Sequence, residues 1–193
     1  YLVVFSLIRL RLMFFINKTL NLGINLDIKM KRQIFIIRHA KSSWNHAGLK
    51  DFDRPLNDRG LKDAPVMAKV FKGLIKDQVK LISSPANRAI TTAEVFAAAL
   101  QQKPEDIRKE EILYYGDETV YLDCLTSVDN NDLSVALFGH NPKVEYFAAR
   151  VSNPYLGEVP TCAIMAFEYD GLLWNELSWN KLIYLNHYFP KEL

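Results

Sequence analysis

Cysteine is scarce in this chain, with two in 193 residues, and neither Cys124 nor Cys162 belongs to a C-x-x-C pair or a framework of spaced partners. That excludes a disulfide-stapled secreted scaffold and a thiolate zinc site of ordinary spacing. Both cysteines fall in apolar segments, Cys124 in a helical one and Cys162 at a strand, and read as small core residues in a reducing, cytoplasmic compartment. Charge of one sign is also lacking: 24 basic residues face 22 acidic ones, for a net charge of +2. Nothing here drives binding to nucleic acid or a membrane, so any anion site must be built locally. Long hydrophobic runs are missing as well. The first 29 residues begin apolar, but Arg9 and Arg11 interrupt them well before the ~20 residues a spanning helix needs. No small-residue cleavage site follows, and Met30 runs straight into "KRQIFIIRHA". We therefore expect an N-terminal extension over 1–29 and a functional domain over 30–193, the alternative for the extension being an amphipathic anchor. Repeats and low-complexity tracts are absent. The histidines His39, His46, His140 and His187 lack paired metal-ligand spacing, so no metal and no cofactor is expected.

What remains is an ordinary globular composition of a size that forms one domain. Ile34 to Ile37 is an unbroken apolar run, the pattern of a strand covered on both faces. "LNDRGLKDAPVMAKVFKGLIK" carries Ala64, Met67, Ala68, Phe71 and Leu74/Ile75 at helical spacing, with Pro65 predicting a kink or a late start. "VKLISS" predicts a second strand, and "SPANRAITTAEVFAAALQQ" a helix capped by Ser84 with Pro85 at its first position. "LSVALFGH" predicts a third strand and "NPKVEYFAARVS" a helix capped by Asn141. "CAIMAFEY" and "WNELSWN" read as late strands joined at Asp170-Gly171. This alternation predicts an α/β three-layer sandwich with a mainly parallel central sheet.

In such sheets ligands bind beyond the carboxyl ends of the strands. Three ends carry reactive side chains: Arg38-His39 after the first strand, Ser83/Ser84 leading to Arg88 after the second, and Gly139-His140 after the third. Each alone is an ordinary surface feature. Together they fit phosphoryl transfer without a metal, in which guanidinium groups clamp the equatorial oxygens and a neutral imidazole takes the phosphoryl group. His39 is the candidate nucleophile, Arg38 and Arg88 are the clamp, and His140 could stabilise developing charge. A phosphate dianion would raise the His140 pKa and the arginines would lower it, so its charge is undecided at this level.

With these residues in place, the chain resembles the histidine phosphatase superfamily, which has a phosphoglycerate mutase-like fold, over roughly residues 31–170. Arg38-His39-Ala40 followed by "KSSWN" is similar to the family's Arg-His-Gly signature, "SSPANRAITTAE" to its Ser-Ser-x-x-x-Arg-Ala-x-x-Thr-Ala segment, and "VALFGHNP" to its strand ending in Gly/Ser-His. The resemblance implies a phosphorylated His39, phosphate binding by Arg38 and Arg88, a pocket completed by His140, and substrate-lining roles for Ser42 and Asn45. The short domain and "RHAKSSWN…DFDRPLNDRG" resemble the SixA-type phosphohistidine phosphatases most. The implied substrate is a phosphohistidine-bearing protein or a small phosphate ester.

Two departures matter. Ala40 stands where the family has glycine, so the backbone there must avoid positive φ. The general-acid Glu-x-x-x-Gly segment of many members is also unmatched, since Glu111 lies five and Glu110 six residues before Gly116. Asp53 in "DFDRP" is the expected donor, its alternative being a local pair with Arg54. Without a strong acid, phosphohistidine suits this chain better than an alcohol ester, because a protonated nitrogen leaves readily. Other phosphatase classes fit poorly. No strand precedes "DFDRP" as an aspartate nucleophile would require, and the residues six beyond the cysteines are Asn130 and Glu168 rather than arginine. Phosphoglycerate mutation would need the missing glutamate segment. A small-molecule phosphomonoesterase and a non-catalytic phosphoprotein-binding module are the alternatives.

Overall fold

The computed structural model describes residues 31–45, 48–76, 78–152 and 157–193. The N-terminal extension, the domain start near Met30 and His46 lie outside the described residues. Strand β1 (Lys31–Arg38) sits inside a sheet of order β3-β2-β4-β1-β5-β6, with β2 spanning Val79–Ser83, β3 Arg108–Lys109, β4 Ser134–Gly139, β5 Ile164–Asp170 and β6 Leu182–Tyr188. Strands β1, β2, β3 and β4 pair in parallel, and β5 and β6 add antiparallel to one side. This is the mainly parallel α/β fold that the alternation predicts.

The apolar run of β1 divides between two faces because successive side chains point oppositely. Ile34 and Ile36 join a core with Val135 and Leu137 of β4, Leu113, Tyr121, Leu125 and Phe147. Phe35 and Ile37 join the opposite core with Ala136 and Phe138 of β4, Met67, Phe71 and Phe96. Helices α1 (Asp58–Leu74) and α2 (Asn87–Ala99) cover the second face; α3 (Ile112–Tyr115), α4 (Thr119–Thr126) and α5 (Lys143–Val151) cover the first. Helix α1 buries Ala64, Met67, Ala68 and Phe71 at the expected spacing and runs through Pro65. It starts where the Asn57 side chain accepts from the Gly60 N–H.

Three local expectations need correction. Helix α2 begins at Asn87 rather than behind a Ser84 cap, and α5 begins at Lys143 rather than behind an Asn141 cap. The would-be caps are used elsewhere: Ser84 Oγ meets His140, and Asn141 Nδ2 donates to Glu145 and to the Val159 carbonyl. "WNELSWN" forms two 3₁₀ turns, Trp174–Glu176 and Trp179–Lys181, and the edge strand is the following "LIYLNHY". The turns bury Trp174, whose indole N–H donates to the Asp132 carbonyl and whose ring stacks on the buried Arg32 guanidinium. Arg32 in turn donates to the carbonyls of Asn130, Asp132, Gly171 and Leu172.

Candidate active site

The three predicted strand ends meet at the carboxyl edge of the parallel strands. His39 follows β1 directly, and both sides of its backbone are pinned: its N–H donates to the Gly139 carbonyl at 2.9 Å and its carbonyl accepts from Cys162 at 3.1 Å. Its ring orientation is fixed by a 2.7 Å contact from Nδ1 to the Ala40 carbonyl. A carbonyl can only accept, so Nδ1 carries the proton and Nε2 keeps its lone pair. The Arg88 Nε–H donates to that lone pair at 3.2 Å. Burial, opposed by the Ala40 bond and reinforced by Arg88, Arg38 and Arg54, pushes the His39 pKa down to about 3. The imidazole is therefore neutral and nucleophilic at physiological pH. Ala40 is fully buried, and Thr92 Oγ1 accepts from its N–H while donating to the Arg88 carbonyl. Its φ is not positive, which explains how a methyl group fits there.

Arg88 sits in the first turn of α2 with the rest of its fork on Asp51. Nη1 donates to the Asp51 carbonyl at 2.6 Å and Nη2 to Asp51 Oδ2 at 2.9 Å. Asp51 opens a 3₁₀ turn, Asp51–Asp53, and also accepts from Arg54 Nη1 at 2.7 Å and from the Tyr114 hydroxyl at 2.9 Å. Partial burial opposes its ionisation, but the Arg54 and Tyr114 hydrogen bonds and the Arg88 charge prevail and hold its carboxyl at about 2. Arg54 is itself buried, donating to the Ser43 carbonyl and Ser42 Oγ while its guanidinium stacks 3.2 Å from the centroid of the Trp44 ring.

His140 faces His39, with ring centroids 5.0 Å apart. Its Nε2 lies 2.8 Å from Ser84 Oγ, and its Nδ1 is buried with no hydrogen-bond partner. Burial, then the neighbouring His39, Arg88 and Lys143, lowers its pKa to about 2, with Asp51 opposing. In this arrangement burial is the largest influence, and the imidazole is neutral. Gly139, just before it, is required by close approach, since a Cβ there would fall 1.8 Å from the Tyr121 hydroxyl that accepts from the His140 N–H.

The remaining candidates fall at different distances from this centre. Arg38 turns its Nη1 to the Val159 carbonyl at 2.6 Å, touching neither His39 nor Arg88 by hydrogen bond, although its charge acts on His39. Ser42 positions Arg54. Asn45 is exposed, and its backbone N–H donates to Ser43 Oγ. Asp53 is exposed, and its backbone carbonyl, not its carboxylate, accepts from Asn87. The carboxylate that reaches Arg88 is Asp51, two residues earlier. Asp51, Arg54 and Tyr114 are the site residues that sequence reasoning missed, and Ser84, placed at the second strand end by the sequence, was expected to cap a helix rather than meet His140. The signal for two of them lay in "DFDRP" itself. Tyr114 comes from the segment "EEILYYGDE", where Glu110 pairs with Arg108 instead. His187 lies on β6 against Tyr184, away from this cluster.

Such an arrangement supplies a neutral imidazole nitrogen, cationic donors around it and one carboxylate in contact with those donors. The family model for the histidine phosphatase superfamily (branch 1) matches residues 34–113, which carry His39, Asp51, Arg54 and Arg88. A protein histidine phosphatase SixA complexed with tungstate is 25% identical, with a TM-score of 0.68 over 83% of this chain and 98% of that one. A candidate phosphohistidine phosphatase SixA from Agrobacterium tumefaciens is 23% identical, with a TM-score of 0.67 over 82% and 98% of the two chains. An uncharacterised chloroplastic protein of Arabidopsis thaliana is 26% identical over 155 residues, 76% of this chain and 71% of its own. Among the described residues no helix is long and apolar enough to cross a membrane.

Proposed function

We propose, from the premise that this chain is a phosphatase of the histidine phosphatase superfamily, that it hydrolyses protein phosphohistidine through a covalent phosphohistidine on its own His39. The observation that carries this reading is the state of His39: Nδ1–H is committed to the Ala40 carbonyl, and Nε2 is unprotonated beside Arg88. In the first step Nε2 attacks phosphorus and the bond to the substrate nitrogen breaks; the substrate imidazole, protonated on its other ring nitrogen, takes the bond pair and leaves neutral. In the second, water attacks the phosphorus on His39 and releases orthophosphate, restoring the neutral imidazole. Arg88 moves its Nε–H from the lone pair to a phosphoryl oxygen, and Arg38 and Arg54 add positive charge. His140, whose ring lies 5.0 Å from that of His39 between centroids, is the second imidazole we assign to the pocket.

Asp51, rather than Asp53, is the carboxylate we assign to proton handling. In its present contacts it is a weak base, but a dianion drawn to Arg88 competes for Nη2 and repels the carboxylate charge, which raises its proton affinity. A phosphohistidine needs little help of this kind, because its imidazole can arrive protonated on the ring nitrogen that does not carry the phosphoryl group. That requirement fits a site whose carboxylate begins ionised. The two cysteines, Cys124 and Cys162, are free and buried, which suits a reducing compartment.

The test is turnover, with chelator present, of a phosphohistidine-bearing domain and of an aryl phosphate, each with wild type and His39→Ala. The proposal expects faster release from phosphohistidine, abolished in the variant, and an acid-labile phosphoenzyme on rapid quench. Equal or greater activity toward the aryl ester would favour a small-molecule phosphomonoesterase. Binding without release, indifferent to His39→Ala, would mark a phosphoprotein-binding module.

A further inference from the structure

Arg38 borders a cavity of about 340 Å³ whose walls include neither His39 nor Arg88. Its walls bring together Lys41, Arg59 and Lys191 with Arg38, against the carboxylates of Glu158 and Glu192. The cations are differently engaged. Arg59 pairs with Asp63 on its own helix at 3.2 Å, and Arg38 gives one nitrogen to the Val159 carbonyl. The side chains of Lys41 and Lys191 have no ion pair or hydrogen bond among the described residues, and the buried Nε of Arg38 has no partner. The walls are also firmly placed. The backbone carbonyl of Lys41 accepts from Asn57 at 3.0 Å and lies so close to Gly60 that a Cβ there would come within 2.2 Å of it. Lys191 belongs to the terminal 3₁₀ turn, Pro190–Glu192, which follows edge strand β6.

We propose that this cavity is an anion subsite that receives an acidic side chain flanking the phosphorylated residue of the substrate. The inference rests on the phosphatase reading. Arg38 is what connects the two places: its backbone precedes the nucleophile and its side chain reaches the cavity, so one substrate segment can hold its phosphoryl group at His39 and a carboxylate beside Lys41 and Lys191. Four cationic side chains against two carboxylates, with the Lys41 and Lys191 ammonium groups uncommitted, favour a carboxylate over a neutral or cationic group, because charge-assisted hydrogen bonds are the stronger kind. The cavity volume suits one acidic side chain with its water.

The experiment uses aryl phosphates carrying a carboxylate on tethers of increasing length, each beside its neutral amide, and the matching non-hydrolysable phosphonates. At the best tether length, kcat/KM for the acid should exceed that for the amide about tenfold, a preference of ~1.4 kcal/mol. The preference should shrink with added salt and fall to unity in Lys41→Ala/Lys191→Ala, with turnover of the amide unchanged. Calorimetry with the phosphonates should show the same ratio in affinity. A ratio of one at every length, or a preference that survives the double variant, would overturn the subsite. Failure of turnover on every substrate would instead strike the phosphatase reading, while the phosphonate affinities would still decide the subsite.

Discussion

Two imidazoles buried in their neutral form should make the fold acid-sensitive well above the pH at which carboxylates titrate. His39 and His140 are held at about 3 and about 2, whereas in the unfolded chain each titrates near 6.5. The unfolded state therefore binds protons that the folded state refuses. The stability from this source is complete above about pH 7.5 and declines as pH falls below 6.5, continuing until the folded values are reached. Between pH 7.5 and 5.5 each histidine should cost about 1.4 kcal/mol, and the pair about 2.7 kcal/mol, a result that requires only that both folded values lie below about 4.5. For a domain of this size that corresponds to a fall in Tm of about 5–10 °C. Asp51 does not intrude, because the stability from its depressed carboxyl is lost only as pH falls through roughly 4 to 2. Urea or thermal unfolding at several pH values, in wild type and in His39→Asn/His140→Asn, checks this. The double variant retains His46 and His187, so the difference in slope isolates the site. If both proteins lose the same stability to within about 0.5 kcal/mol, the neutral buried histidines are wrong, and with them the basis for nucleophilic attack by His39.

Arg88→Ala should weaken vanadate binding about a hundredfold, from the loss of two charge-assisted hydrogen bonds of ~1.5 kcal/mol or more each; an unaltered affinity by equilibrium titration would remove Arg88 from the site. Gly139→Ala should cost about 1–3 kcal/mol in urea unfolding because the added methyl meets the Tyr121 hydroxyl, and Tyr121→Phe should recover part of it. No loss would mean that the β4 end is looser than its contacts indicate. Asp51→Asn should bind vanadate more tightly yet slow aryl phosphates in proportion to how poor the leaving group is, a crossed pattern read from a titration and a leaving-group series. Uniform slowing would dismiss Asp51 as the proton carrier.

Period and composition made the scaffold readable. Ile34–Ile37 is legible as a buried strand because an unbroken apolar run needs cover on both sides, and α1 is legible because Ala64, Met67, Ala68 and Phe71 keep one face. The meeting of His39, Arg88 and His140 followed from one topological rule about strand ends, whereas Arg38 turns its guanidinium to the Val159 carbonyl. The errors share a physical cause, which is competition for the same side chain. Ser84 and Asn141 have good capping chemistry, but the imidazole of His140 and the loop at Val159 claim them. Asp53 and Arg54 are neighbours in sequence, yet the 3₁₀ turn places Asp51, three residues before Arg54, where the guanidinium can reach it. Tyr114 reaches Asp51 across 63 positions, and a four-residue helix has no period by which to announce its inward face. Strand β6 was hidden because "LIYLNHY" is an edge with mostly exposed or half-buried positions.

The Asp51 contacts also bear on how the site tolerates its own charge. Arg38, Arg54 and Arg88 all act on His39, and burying three like charges around one group is costly unless they are paired. Asp51 answers that cost directly, since its two carboxylate oxygens each take a guanidinium, Arg54 at 2.7 Å and Arg88 at 2.9 Å, and the Tyr114 hydroxyl supplies a third donor. A phosphoryl dianion needs the same kind of partners, so substrate must displace an anion that already satisfies the clamp. Affinity is reduced by that exchange, but the displaced carboxylate is left next to the reacting group, where its proton affinity rises as the dianion approaches. A single residue can then keep the clamp assembled before substrate arrives and supply the proton afterwards. Under the proposed mechanism, this is how the site would act on good leaving groups without a dedicated glutamate. It also explains why Asp51, which holds two guanidinium groups, is the residue to alter rather than Asp53, whose backbone carbonyl alone takes a side-chain donor.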